Sequence, residues 1–281
     1  MLLGIQVSTE GEIYHAFQRA GELGCNTMQI FSRNPQRWRG RFLENQDIEE
    51  FKKSKANFGI KPVFIHIPYL INLASPNPRL YQDSIEAYIE DILEAKTLEA
   101  EYIVTHMGSH KGTSEPAGLK RLIKALNIII ERTQNTDVGI LLENTAGSGS
   151  WLGYKFSHQQ AVLQGLKEKE RIGFCLDTAH AYLAGYDLSR QDGLEALLKE
   201  IDSCVGLSLI KLIHLNDAKG KLGSAYDRHD HIGKGNIGLA GMGRIINHPK
   251  LRDCAFILET PKDSPDADRI NLDRVRKLRK K

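Results

Sequence analysis

Cysteine is scarce in this 281-residue chain, and the four present (Cys25, Cys175, Cys204 and Cys254) stand far apart without a C-x-x-C pair. Scattered in this way they suit neither a disulfide framework nor a thiolate metal cluster, and read as small buried hydrophobes of a reducing compartment. Long apolar runs are also missing. Charges interrupt every hydrophobic segment before it reaches the roughly 18 residues that cross a bilayer, so no membrane span is expected. The opening stretch, MLLGIQVSTEGEIYHA, lacks a basic leader followed by an extended apolar core, and no export signal is expected. These absences predict a cytoplasmic protein. No low-complexity linker or composition shift divides the chain, which predicts a single domain over 1–281.

Net charge is low, at +3, but unevenly placed. Residues 269–281 hold seven Lys/Arg and one acid and so carry +6, which leaves −3 for the rest. The tail reads as a solvated basic helix or extension. A slightly acidic body is poorly suited to a polyanion unless some of its carboxylates hold cations.

Eight β-rich runs alternate with longer amphipathic stretches: 2–8, 26–32, 61–67, 101–107, 139–145, 171–177, 209–215 and 255–260. Tyr81, Ile85, Tyr88 and Ile92 mark one helical stripe; Leu119, Leu122, Ile123, Leu126 and Ile130 mark another. Asn77-Pro78 reads as an N-cap with proline at the first helical position, and Ser157-x-x-Gln160 as a capping box. Eight strand–helix alternations predict a single-domain α/β chain folded as a (β/α)8 TIM barrel. A doubly wound open sheet is the alternative, but no glycine-rich phosphate loop follows Ser8 or Ser32.

Six of the eight runs end in a potential metal ligand: His66, His106, Glu143, Asp177, His214 and Glu259, separated by 40, 37, 34, 37 and 45 residues. In a barrel all strand carboxyl ends share one rim, so the six are expected to converge there. Taken singly, a strand-end histidine is usually a hydrogen-bonded core residue. Together, three carboxylates on one rim would repel and resist desolvation, and bound divalent cations relieve that cost. Asp177-Thr-Ala-His180 and Asp227-Arg-His229 add His180, Asp227 and His229. His231 continues the latter alternation, and it and His110 stay open as contributors.

All nine are nitrogen or oxygen donors, which suits zinc and also manganese or iron. With a bridging carboxylate, three divalent ions would absorb them. Such a cluster with open positions is typical machinery for phosphodiester hydrolysis, one ion generating hydroxide and others neutralising the phosphate and the departing oxygen.

The residues resemble a known family. His66-Ile-Pro-Tyr-Leu-Ile-Asn-Leu-Ala74, Leu176-Asp-Thr-Ala-His-Ala-Tyr-Leu-Ala-Gly-Tyr-Asp187 and His214-Leu-Asn-Asp-Ala-Lys219 running on to Asp227-Arg-His229 are similar to signature segments of endonuclease IV. This family comprises the metal-dependent apurinic/apyrimidinic (AP) endonucleases of base excision DNA repair. Glu143-Asn-Thr-Ala-Gly-Ser-Gly and Gly233-Lys-Gly-Asn-Ile-Gly238 match as well. The resemblance implies a trinuclear zinc site. His66, His106 and Glu143 would hold one ion. Glu143 would bridge to a second ion held also by Asp177, His214 and Glu259, and His180, Asp227 and His229 would hold the third. It further implies hydrolysis 5′ to abasic sites in duplex DNA, giving a 3′-hydroxyl and a 5′-deoxyribose phosphate, and trimming of blocked 3′ ends. Glu143 and Glu259 are the residues expected to position the attacking metal-bound hydroxide.

Departures from the family pattern are Gln6, where a histidine is common, Ala179 in place of a cysteine, Pro68 before Tyr69, and Gln36 where a DNA-inserting arginine is known. None removes a carried-over ligand. An abasic nucleotide must rotate out of the duplex, and something must fill the gap. Arg33, Gln36, Arg37, Trp38 and Arg39 of the arginine-rich 33–41 segment are expected to meet DNA, Tyr69 and Leu70 to wedge against the opposite base, and Lys219 (with Lys221 beside it) to contact phosphate. The plainer readings are a solvated basic loop anchored by Trp38 and core packing of Tyr69 and Leu70. The expected protein is a monomer that works beside the nucleoid if the cell is prokaryotic. The rival functions are a sugar isomerase or epimerase on the same barrel with one or two metals, and a non-catalytic, metal-dependent nucleic-acid binding module.

Overall fold

A computed structural model describes residues 1–31, 33, 38 and 43–280. In chain order the elements are β1 (Leu2–Ile5), α1 (His15–Glu22), β2 (Met28–Phe31), α2 (Asn45–Phe58), β3 (Val63–His66), α3 (Pro78–Thr97), β4 (Tyr102–His106) and α4 (Glu115–Arg132). There follow β5 (Gly139–Glu143), α5 (Phe156–Gly165), β6 (Ile172–Asp177), α6 (Thr178–Ala184), α7 (Gln191–Cys204) and β7 (Ile210–His214). The last are β8 (Asp217–Ala218), β9 (His229–Asp230), α8 (Gly238–Asn247), β10 (Ala255–Leu258) and α9 (Ala267–Leu278). Eight strands form one parallel sheet in the order β1-β10-β7-β6-β5-β4-β3-β2. Its ends meet where the Asn26 amide donates to the Leu3 carbonyl at 3.2 Å and the Val7 amide to the Gln29 carbonyl at 2.7 Å. The chain is a TIM barrel, as the strand–helix alternation predicts.

Period-two alternation divides the strand side chains between two cores. Phe64, Val104, Leu141, Cys175, Leu212, Ala255 and Ile257 pack together as a separate buried cluster that plugs the barrel. The other strand positions, such as Ile65, Ile103, Ile140, Leu142 and Ile213, join the larger core beneath the helices. This follows from each strand being buried on both faces, which is why the strands read as nearly continuous apolar runs.

Helix α3 begins as its sequence predicts: the Asn77 side chain accepts from the Leu80 amide at 3.0 Å, with Pro78 in the first turn. It buries Ile85, Tyr88 and Ile92. Ser114 caps α4 in the same way. The capping box expected at Ser157 does not form. Helix α5 already starts at Phe156, with Lys155 as N-cap, so Ser157 lies inside the first turn. The basic C-terminal segment is largely helical, and Arg276 of α9 ties back to the Leu23 and Gly24 carbonyls at 2.7 and 2.9 Å. No helix among the described residues is long and apolar enough to cross a membrane. All four cysteines are free; Cys25, Cys175 and Cys254 are buried and Cys204 is half-buried.

Candidate metal centre

Two residues beyond six of the seven plug residues, on the same inward face, stands a polar one. The pairs are Phe64 and His66, Val104 and His106, Leu141 and Glu143, Cys175 and Asp177, Leu212 and His214, and Ile257 and Glu259. The strands carrying them, β3 to β7 and β10, are consecutive neighbours in the sheet. A layer of ionisable groups therefore lies directly on an apolar floor.

A tetrahedral ion with bonds of about 2.0–2.1 Å spaces its donors about 3.3 Å apart. The side chains meet at such distances in three linked groups. Glu143 Oε2 lies 3.2 Å from His66 Nε2 and 3.3 Å from His106 Nε2. Its other oxygen, Oε1, lies 3.1 Å from His214 Nδ1, which is itself 3.3 Å from Glu259 Oε2 and 3.9 Å from Asp177 Oδ2. Asp177 Oδ2 in turn lies 3.6 Å from His229 Nε2. Asp227 Oδ1 lies 3.2 Å from His180 Nε2 and 3.8 Å from His229 Nε2. His66–His106–Glu143, Glu143–Asp177–His214–Glu259 and Asp177–His180–His229 each gather ligand atoms closely enough to hold an ion. Two carboxylates are shared here, Glu143 and Asp177.

Four of the five imidazoles have their second nitrogen held by an acceptor, which fixes tautomer and ring orientation. His66 Nδ1 donates to the Ile67 carbonyl at 2.7 Å and His180 Nδ1 to the Asn144 carbonyl at 2.9 Å. His229 Nδ1 donates to the Glu259 carbonyl at 3.2 Å, and His214 Nε2 to Gln29 Oε1 at 2.8 Å. The inward nitrogen of His229, Nε2, is buried and has no hydrogen-bond partner among the described residues. An orphaned nitrogen facing carboxylates, in a set made of imidazole and carboxylate only, fits a divalent ion such as zinc. Cys175 also approaches Glu143 and His214, but burial pushes its thiol up to about 12, so it stands there as a protonated thiol.

The amides orient the carboxylates. Asn216 Nδ2 donates to Asp177 Oδ2 at 2.7 Å while its Oδ1 accepts from the Glu259 amide at 2.8 Å. Asn144 Oδ1 accepts from the Asp177 amide at 2.8 Å. Asp177 is also the N-cap of α6, its Oδ1 accepting from the His180 amide at 2.7 Å. Burial alone would raise the Glu143 carboxyl, but His214 and His106 hold it well below the usual range. Burial likewise opposes ionisation of Asp227, which His180 and His229 nevertheless lower to about 2.

Residues 17–281 match a family described as a xylose isomerase-like TIM barrel. A relative from Methanoculleus marisnigri, named "Probable endonuclease 4", is 42% identical over 99% of both chains. Another of that name from Halothermothrix orenii is 42% identical, over 97% of this chain and 99% of its own. The chain belongs to the endonuclease IV family. The crystal structure of endonuclease IV from Thermus thermophilus is 34% identical, with a TM-score of 0.87 over 99% of this chain and 98% of that one. As a member of the endonuclease IV family the protein is a nuclease, and so a hydrolase.

Around the mouth of this endonuclease IV barrel the residues expected to meet DNA take different positions. Tyr69 is 57% exposed, with its ring centroid 5.9 Å from that of His66 and 6.0 Å from that of His106. Leu70 is half-buried, and Lys219 and Trp38 are exposed. Gln36, Arg37 and Arg39 lie outside the described residues. Arg33 is a correction. Its side chain is only 3% exposed and pairs with the buried Asp91 carboxylate, with further bonds to the Ala87 and Trp38 carbonyls. Its charge is committed to the interior because a fully buried carboxylate there needs a counterion. His231 turns away to Asp263 at 3.1 Å, and neither it nor His110 falls in a ligand group among the described residues.

The sequence reading missed Gln29, Asn144 and Asn216, which orient the ligand layer. It also missed Asp217, whose buried carboxylate accepts from the amides of Gly233, Gly235, Ile237 and Gly238 at 2.9–3.3 Å. A Cβ at Gly235 would stand 2.6 Å from Asp217 Oδ1, which requires glycine there. Asn144, Asn216 and Asp217 lie just beyond strands already read as ending in a ligand, which is the signal that could have found them; Gln29 lies in the run 26–32, which ends in none.

Gln6 accepts from Gln29 Nε2 at 2.8 Å, while its own Nε2 is buried without a partner among the described residues.

Proposed function

We propose that the protein is a DNA repair enzyme that hydrolyses the phosphodiester 5′ to an abasic site in duplex DNA. The products are a 3′-hydroxyl and a 5′-deoxyribose phosphate, and the same site trims blocked 3′ ends. Three divalent ions, zinc or with manganese or iron at some positions, serve the reaction. His66, His106 and Glu143 would hold one, Glu143, Asp177, His214 and Glu259 the second, and His180, Asp227 and His229 the third, with Asp177 close enough to join it. The observation that carries this reading is the sharing of Glu143 and Asp177 between adjoining groups. Single-metal or two-metal sugar chemistry has no use for a third group built on His180 and His229.

When bound, such ions supply a nucleophile from water at neutral pH and neutralise charge on the phosphate and the leaving oxygen. Three divalent charges against four carboxylates leave the crater positive, a match for a phosphodiester. Glu143 and Glu259 are the positioning carboxylates: Glu259 is held by Gln29 and Asn216, with Oε1 and Oε2 at 2.7 and 3.4 Å from their amide nitrogens. Tyr69 and Leu70 would prop the duplex, and Trp38, Gln36, Arg37, Arg39 and Lys219 would contact DNA. The three ligand groups are complete among the described residues of one chain, in keeping with a monomer, and a chromosomal substrate would put the enzyme in the cytoplasm beside the DNA.

The test is a duplex with one tetrahydrofuran abasic analogue, incubated with and without chelator, with the ends of both products determined. Cleavage 5′ to the analogue that chelator abolishes and zinc restores is expected. An ion-loaded protein that leaves this duplex intact, or that cuts on the 3′ side, overturns the reading.

A further inference from the structure

His106 stands apart from the other four site imidazoles. Its Nε2 faces Glu143, but among the described residues no acceptor takes its Nδ1. It is held by rings instead. The indole of Trp151 meets the imidazole at a centroid distance of 5.7 Å and an interplanar angle of 85°, an edge-to-face contact. His66 and His180, themselves members of the ligand layer, meet it at 5.5 and 5.6 Å.

The backbone around Trp151 is built to hold it in place. Ser109 and Trp151 form an antiparallel bridge between the loop after β4 and the loop after β5. On either side of it the Leu152 amide donates to the Gly108 carbonyl at 2.8 Å and the His110 amide to the Ser150 carbonyl at 3.0 Å. The hydroxyls of Ser109 and Ser150 meet at 2.8 Å. These loops leave directly from the strands that carry His106 and Glu143, so the bridge fixes the indole against the imidazole from the backbone of both.

We propose that Trp151 is a positioning residue for His106, using an aromatic edge where the other histidines have a hydrogen-bond acceptor, and that it sets how tightly the ion of the His66–His106–Glu143 group is retained. The proposal rests on reading that group as an ion site. An imidazole free to turn about its Cβ–Cγ bond must be ordered when the ion binds, and removing such outer contacts usually costs about tenfold or more in metal affinity.

The test compares the full chain with Trp151→Ala, Trp151→Leu and Trp151→Phe. Metal content is measured along a chelator titration and by the visible spectrum of the cobalt-loaded forms, with circular dichroism as the control for folding. The expected result is that Trp151→Ala and Trp151→Leu weaken one ion about tenfold and alter the cobalt spectrum, while Trp151→Phe restores both. Wild-type affinity and spectrum in Trp151→Leu, or no rescue by Trp151→Phe, overturn this proposal alone. A wild-type chain that binds no ion overturns the ion-site reading and this proposal with it.

Discussion

Gln29 links His214 to Glu259. Its Oε1 accepts from His214 Nε2 at 2.8 Å while its Nε2 donates to Glu259 Oε1 at 2.7 Å, so one buried amide orients two groups of the ligand layer. Gln29→Leu takes away the acceptor of His214 Nε2 and one of the two amide donors to Glu259, in a buried site. The expected outcome is a loss of about 1–3 kcal/mol in stability, together with a loss of about 10–100-fold in metal affinity. Urea denaturation and chelator competition measure the two. Unchanged affinity in a folded Gln29→Leu protein would remove the orienting role.

Arg33 and Asp91 form a buried ion pair 58 positions apart in the chain. Replacing the arginine removes charged hydrogen bonds to that carboxylate, so Arg33→Met is expected to cost about 1.5–3 kcal/mol in urea denaturation. An exposed phosphate-binding arginine would instead cost little stability and lower the salt dependence of DNA binding by about one unit of slope. That second pattern would return Arg33 to the DNA interface.

Asp217 anchors the segment that follows His229. The Gly233 and Gly235 amides reach its Oδ2 at 2.9 and 3.1 Å, and the Ile237 amide reaches Oδ1 at 2.9 Å. Asp217→Ala removes every one of these acceptors, so a loss of at least about 2 kcal/mol is expected, with the His180–Asp227–His229 ion lost first. Metal analysis after dialysis checks this. Three ions retained per chain would show that the segment keeps His229 in place without the carboxylate.

Most of the barrel was legible in the sequence because strand period and burial leave a direct trace. The run 139–145 became Gly139–Glu143 and 171–177 became Ile172–Asp177, and the six strand-end residues lie on one rim as their spacing requires. The two-residue strands β8 and β9 leave too short a pattern to read. Gln29 interrupts the apolar Met28–Phe31 run, a signal that a polar group is wanted at mid-strand, but which partner it serves depends on residues about 200 positions away. Arg33 was misjudged for the same reason: sequence records a charge but not its direction. The counterion Asp91 lies on a helix that comes near only in the folded barrel.

Glu259 offers the sharpest separation of chemistry from folding. Burial raises its carboxyl, yet His214 outweighs this and keeps it ionised. Glu259→Gln preserves shape and loses the charge. On the proposed function kcat should fall by about 10²–10³-fold or more, with circular dichroism and melting temperature close to wild type. Cleavage of the abasic duplex at the wild-type rate would refute the assignment.

Protonation and metal binding compete at the same imidazoles. Burial disfavours the charged forms of His180 and His214. Asp177, Asp227 and Glu143 around the first, and Glu259 and Glu143 around the second, overcome this and raise both above the ordinary 6.5. In chelator-treated protein these groups add stability that is fully present below pH 6.5 and is lost as pH rises through their folded values. Asp227, lowered from 3.8 to about 2, acts in the opposite sense, its contribution present above pH 3.8 and lost as pH falls toward 2. The metal-free chain should therefore be most stable at mildly acidic pH and weaken from neutrality upward. Zinc binds neutral imidazole, so loading at about pH 7 should release protons and reverse the trend. Calorimetric titrations in buffers of different ionisation enthalpy measure the release, and chelated melting curves between about pH 5 and 9 measure the trend. Binding heats independent of buffer, or metal-free protein that gains stability above neutrality, would contradict the electrostatics of the site.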